Sequence, residues 1–156
     1  METNRHKKGI TAIELLVVIA VLGVIFSIAI PQFSKIRENQ VLKSAVGDII
    51  SSLNKARSQT LASINSSSYG VRFQSGKVII FKGTAFSPST SGNETIDIIT
   101  PASITNVVLG CTPSIPCDIY FNRLSGTPSK TGTITISTSS FSKVITISAT
   151  GSASMN

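Results

Sequence analysis

KKGITAIELLVVIAVLGVIFSIAIPQ, residues 7–32, sets two lysines and a glycine before an apolar run that contains one carboxylate. From Ile10 to Ile30 the run has 21 residues, and Glu14 is its only charge. An α-helix rising 1.5 Å per residue makes that length about 31 Å, the thickness of a bilayer's hydrocarbon core. Lys7 and Lys8 predict that the N-terminal side stays in the cytoplasm, which sends the bulk of the chain to the other side. An ionised carboxylate in hydrocarbon costs roughly 2.5–3.5 kcal/mol on insertion scales, so Glu14 needs a partner. Close to the headgroups it has a blander reading, a side chain that snorkels to the interface.

Three readings of the stretch compete. It is a plain signal anchor, or a cleaved secretory signal for which Ser27-Ile28-Ala29 supplies a small-x-small site, or a leader of a third kind. The apolar run is longer than a secretory signal's usual 7–15 residues and carries a charge, which counts against the second reading. For the third, the residues are Lys8-Gly9 followed by Ile10-Thr11-Ala12-Ile13-Glu14-Leu15-Leu16-Val17-Val18-Ile19-Ala20, with Pro31 just past the run. This pattern resembles the class III leader of type IV pilins and their relatives. There a short basic leader and a glycine precede a helix with glutamate at its fifth position. The departure is Ile10, where that family usually has phenylalanine.

The resemblance implies cleavage between Gly9 and Ile10 by a prepilin peptidase, N-methylation of Ile10, and retention of the hydrophobic helix as the assembly element. It also implies that Glu14 acts in assembly, by pairing with the cationic N-terminus of a neighbouring subunit. A helix kink is expected at Pro31.

Beyond Pro31 the helical period continues. Ile36, Val41, Ala45, Ile49, Leu53, Ala56 and Thr60 form a stripe, while Lys35, Arg37, Glu38, Lys43, Asp48, Lys55 and Arg57 take the other face. The pattern predicts a helix over 33–64 packed on a sheet, and with the membrane segment one helix of roughly 50 residues. After the turn cluster Asn65-Ser66-Ser67-Ser68 the period switches to strands. Tyr69–Gln74 and Lys77–Lys82 flank Ser75-Gly76 as a hairpin. Thr95–Thr100, Ile104–Leu109 and Asp118–Asn122 follow. Gly132–Ser137 and Lys143–Ser148 form a second hairpin. Residues 125–156 include 16 Ser or Thr among 32, a composition that suits a solvated sheet face. The fold class expected is α+β: a long, partly transmembrane N-terminal helix packed on an antiparallel β domain, the pilin fold. Its parts are a cleaved leader (1–9), an assembly helix (10–30), an amphipathic continuation (31–64) and a β domain (65–156).

Cys111 and Cys117 enclose five residues, two of them prolines. In a chain that exports its bulk such a pair reads as a small disulfide loop, with two free thiols as the alternative. No catalytic, metal or cofactor site is expected. His6, the sole histidine, falls in the leader, and Asp48, Glu94, Asp97 and Asp118 sit in no recognisable motif. Without residues 1–9 there are 11 basic and 6 acidic residues, a net of +5 that permits polyanion contact without requiring it.

Among pilin relatives, Ala56-Arg57-Ser58 before the first hairpin is similar to the GspH/FimT pseudopilin family. So are Ile119-Tyr120-Phe121-Asn122-Arg123-Leu124-Ser125-Gly126 and the closing Val144-Ile145-Thr146-Ile147-Ser148-Ala149-Thr150-Gly151. The function this implies is a minor pilin or pseudopilin: a single-pass inner-membrane protein with its globular domain outside the cytoplasm. From there it joins a type II secretion pseudopilus or a type IV pilus. Its partners would be prepilin peptidase, other pilins and an inner-membrane assembly platform. The alternatives are a DNA-binding minor pilin of natural transformation, a major pilin and an adhesive tip subunit. Ser152-Ala153-Ser154-Met155-Asn156 carries none of the basic residues a DNA-binding relative has after that glycine, and phosphate contacts need clustered Lys or Arg.

Overall fold

The structure, a computed structural model, describes residues 9–156 apart from the side chains of residues 29–31. Lys7, Lys8 and His6 therefore lie outside the described residues, as does the side chain of Pro31. A helix α1 (Ala12–Leu61) is followed by a 3-10 turn (Ile64–Ser66) and eight strands. The strands are β1 (Tyr69–Gln74), β2 (Lys77–Lys82), β3 (Glu94–Asp97), β4 (Ser103–Val108), β5 (Cys117–Tyr120), β6 (Gly132–Ser137), β7 (Ser142–Ile147) and β8 (Ala153–Met155). The fold is α+β, with a long N-terminal helix and two antiparallel sheets where the sequence predicts a single sheet domain. Two compact units divide it, Met1–Ile36 and Arg37–Asn156.

In the first unit the helix is apolar on every side. Ile13, Leu16, Val17, Ile19, Val21, Val24 and Phe26 are all exposed. A helix without a polar face belongs in a protein core or in lipid, and this one is long and apolar enough to cross a membrane.

The second unit is built on the helix's apolar stripe. Leu42, Ala45, Val46, Ile49, Leu53 and Ala56 are buried, following the three- and four-residue steps of one helix face. Ile36, expected in the stripe, is instead 55% exposed; Val41 is half-buried, and Leu42 and Val46, which lie outside the expected stripe, are buried. One sheet has the order β3-β2-β1-β5 and the other β4-β6-β7-β8. Val71, Phe73, Val78, Ile80 and Ile119 of the first sheet share a core with Ile104, Val107, Ile134, Ile136, Ile145 and Ile147 of the second. The sheets are stitched where Ile104 N donates to Ser75 O at the β1–β2 turn, 2.8 Å.

Strand alternation decides the opposite faces. On β6 and β7 the isoleucines point inward, while Thr133, Thr135, Val144 and Thr146 face outward, so the Ser/Thr-rich composition is one solvated face of an ordered sheet. On β2, Ile79 and Phe81 are also buried, on the face away from the helix. There Phe86, from the loop after β2, stands edge-on to Phe81 at 5.8 Å. That second layer is why β2 lacks the one-sided alternation of a half-exposed strand.

Leu53→Ala should destabilise the domain by about 2–5 kcal/mol, the cost of a buried leucine cavity. Ile36→Ala should stay within about 0.5 kcal/mol. Denaturant unfolding of the full chain in detergent, read by circular dichroism, separates the two.

Candidate functional site

Gly9 and Ile10 lie in exposed, non-helical chain immediately before α1. The helix begins where Thr11 caps it. Glu14 N donates to Thr11 Oγ1 (3.3 Å), and Leu15 N donates to Thr11 O (3.1 Å). Thr11-x-x-Glu14 is therefore half of a capping box, a signal the sequence reading passed over. Capping places Glu14 in the first turn, where the helix dipole favours an acid by about 0.3–1 kcal/mol. That recovers only part of the roughly 2.5–3.5 kcal/mol lost by a carboxylate in hydrocarbon. Among the described residues no hydrogen bond or ion pair engages the exposed Glu14 carboxylate.

A second constellation joins three short segments far apart in sequence. Arg57, which the helical pattern puts on the solvated face, is half-buried, and its Nε donates to Gly126 O (3.1 Å). Gly151, in the turn between β7 and β8, packs against the same carbonyl and against Arg57. A Cβ on Gly151 would meet Gly126 O and come within 2.9 Å of Arg57 Nε, and its φ of +83° is itself a glycine conformation. Leu61 closes over Gly126, where a Cβ would lie 3.0 Å from a leucine methyl. Helix end, first sheet and second sheet meet at this joint. Beside it, buried Thr60 donates to Ala56 O (2.8 Å) and accepts from Tyr69 N (2.9 Å), which fixes where β1 starts. Ala56-Arg57-Ser58, the end of Ile119–Gly126 and the end of Val144–Gly151 thus converge on one place.

The disulfide between Cys111 and Cys117 is formed, with the two Cα atoms 5.7 Å apart, so the free-thiol alternative falls. Lys130 Nζ lies 3.2 Å from Cys111 Sγ. Next to Cys117, Asp118 Oδ2 accepts from Arg72 Nη1 (3.1 Å), and Arg72 stacks on Phe86 with its guanidinium carbon 4.4 Å from the ring centre. Burial pushes the Asp118 pKa up, and the Arg72 and Lys130 charges pull against it. Glu38 has the opposite shift, held low chiefly by a hydrogen bond from Ser139 Oγ (3.0 Å).

A third feature was invisible in sequence. Asp48, Ser51, Ser52 and Lys55 of α1 border a concavity of about 140 Å³ with Ile80, Glu94 and Ile96. Lys55 bridges to both Glu94 oxygens, at 2.6 and 2.7 Å.

Comparison with known proteins returns nothing: no protein-family model, no curated protein and no solved structure matches this chain.

Gly151→Ala should cost about 1–3 kcal/mol through steric overlap and backbone strain. Gly47→Ala, exposed in α1 with open space around it, should stabilise by up to about 1 kcal/mol. Thermal unfolding of the two variants should therefore shift in opposite directions. In acid, Glu38 and Asp118 contribute with opposite signs. The lowered native pKa of Glu38 gives stability that is present above the unfolded-state value and is lost as pH falls through the native one. Asp118, raised, contributes the reverse, losing stability as pH rises through its native value. Ser139→Ala should return the Glu38 pKa toward its ordinary value in a carboxyl NMR titration and flatten the acid limb of the stability curve.

Proposed function

We propose that this chain is a minor pilin or pseudopilin: a structural subunit that is held in the inner membrane by its N-terminal helix and then packed into a pilus-like filament. Prepilin peptidase removes residues 1–9 and methylates the amino group of Ile10. One observation carries the reading. Glu14 stands one turn inside an otherwise uncharged apolar helix, five residues after the glycine, with its main chain satisfied by Thr11 and its carboxylate without a partner among the described residues.

The chemistry follows from that placement. Cleavage after Gly9 makes Ile10 the N-terminus and Glu14 the fifth residue, and it creates a cationic amine about one helical turn from the Glu14 carboxylate. In a bundle of such helices the carboxylate of one subunit pairs with the amine of the next. A subunit out of step leaves two charges buried and unpaired, at a cost of several kcal/mol, so the pair sets register while apolar packing supplies cohesion. The α+β domain, exposed outside the cytoplasm, gives the subunit its particular surface. A DNA-binding role has less support. Arg57 is committed to Gly126 O and Lys130 lies against the disulfide, so these two cations near the C-terminal glycine and the second sheet are already engaged.

Glu14→Ala should leave the protein in the membrane fraction and abolish its recovery in sheared filaments, scored by immunoblot of both fractions. Normal recovery in filaments would sink the assembly role.

A further inference from the structure

We propose that the globular domain carries both halves of a head-to-tail contact between copies of this chain. Leu124 of one copy seats in the concavity bordered by Asp48 and Glu94 of the next, with Arg123 beside Asp48. The contact rests on the filament reading for its setting and supplies a domain-level interaction that the N-terminal helix does not.

The knob is a leucine held where leucine does not go unaided. Leu124 has φ +69° and is 87% exposed, the most exposed of the large apolar residues in the domain. Its loop is rigid. Asn122 N donates to Thr127 O (2.8 Å), Gly126 N donates to Asn122 O (2.9 Å), and Arg57 holds Gly126 O. A left-handed, solvated leucine on a braced turn is a preorganised anchor, because the ordering cost of binding is met in advance.

The concavity fits it in size and charge. Ile80 is buried at its base and Ile96 half-buried beside it, while Asp48, Lys55 and Glu94 stand at the rim. Its volume, about 140 Å³, is close to the roughly 150 Å³ that accommodates a benzene-sized apolar guest. Glu94 is paired with Lys55, but among the described residues Asp48 and Arg123 belong to no ion pair, so each has a free charge for the other.

Topology gives the direction. The knob follows β5 and the concavity takes Glu94 and Ile96 from β3, and these strands are opposite edges of the sheet β3-β2-β1-β5. Strand spacing puts the two edges roughly 14 Å apart. Two unlike patches on opposite edges make a heterologous contact, which repeats from copy to copy instead of closing a symmetric dimer.

Two differently tagged full-length copies, one Ser125→Cys with Leu124 left in place and one Ser51→Cys, test this when co-produced in membranes and mildly oxidised. The native cysteines are paired with each other, so only the introduced thiols are free. The expected product links the two tags, with little linkage between two Ser125→Cys copies. Arg123→Glu in the first copy, or Asp48→Lys in the second, should lower the yield about fivefold, and the two together should restore it. Predominant linkage between like copies, or charge reversals without effect or without rescue, would overturn the contact. Filament recovery is scored in the same cells. Filaments without the cross-link remove this contact and spare the filament reading. A charge-dependent cross-link in chains that never assemble supports the contact and removes the filament reading.

Discussion

One helix face holds the domain together. From Leu42 to Thr60, α1 presents a stripe that both four-stranded sheets bury, and the residues that line it from the strands are almost all Val, Ile or Phe. A two-layer fold needs each element's apolar side covered by another, and here two small sheets of four strands share one helix as their common cover. Each fully buried Leu or Ile contributes about 1.5–3 kcal/mol of transfer energy, so the stripe outweighs every polar contact in the domain. The exposed Lys55–Glu94 pair, by contrast, belongs to a class of surface bridges that contribute about 0–1 kcal/mol. Polar groups do different work. Arg57, Thr60 and the paired glycines at 126 and 151 fix the angle at which strands leave the helix end, and they do so through backbone atoms that no apolar contact could orient.

How much of this was legible depended on whether a signal was local. Helix period, the Ser75-Gly76 hairpin and the β6–β7 alternation are short-range patterns, and the structure has each of them, with β1, β2 and β6 at the expected bounds and the ends of β3, β4, β5 and β7 shifted by one to three residues. The disulfide was legible for the same reason, since six positions of separation put Cys111 and Cys117 within reach of each other. What was not legible was long-range. Arg57 reads as a surface cation by its helical position, and only the arrival of Gly126, 69 residues on, makes it half-buried. Ile79 and Phe81 break strand alternation because the loop that carries Phe86 folds back over them. β8, three residues of Ala, Ser and Met, has no strand signature of its own and exists because β7 offers it an edge. The Thr11 cap is local as well, since Thr11-x-x-Glu14 has capping-box spacing inside the apolar run.

Glu14 and Arg57 solve the same electrostatic problem at opposite ends of α1, in opposite ways. Each is a charged residue on a helix whose surroundings are apolar, and each needs a partner in proportion to the water it loses. Arg57 finds one inside the chain, a carbonyl oxygen, and the partner is good enough that sheet positions are built around it. For Glu14 the dipole of its own helix returns about a quarter of the desolvation cost. Thr11 engages its main chain and leaves the carboxylate free. A group that a fold leaves unpaired at such a depth makes the isolated helix less favourable than a helix beside a cation. Under the filament reading proposed above, the missing interaction is a driving force for association, and its size, larger than one thermal unit several times over, is enough to choose one register among the neighbouring ones.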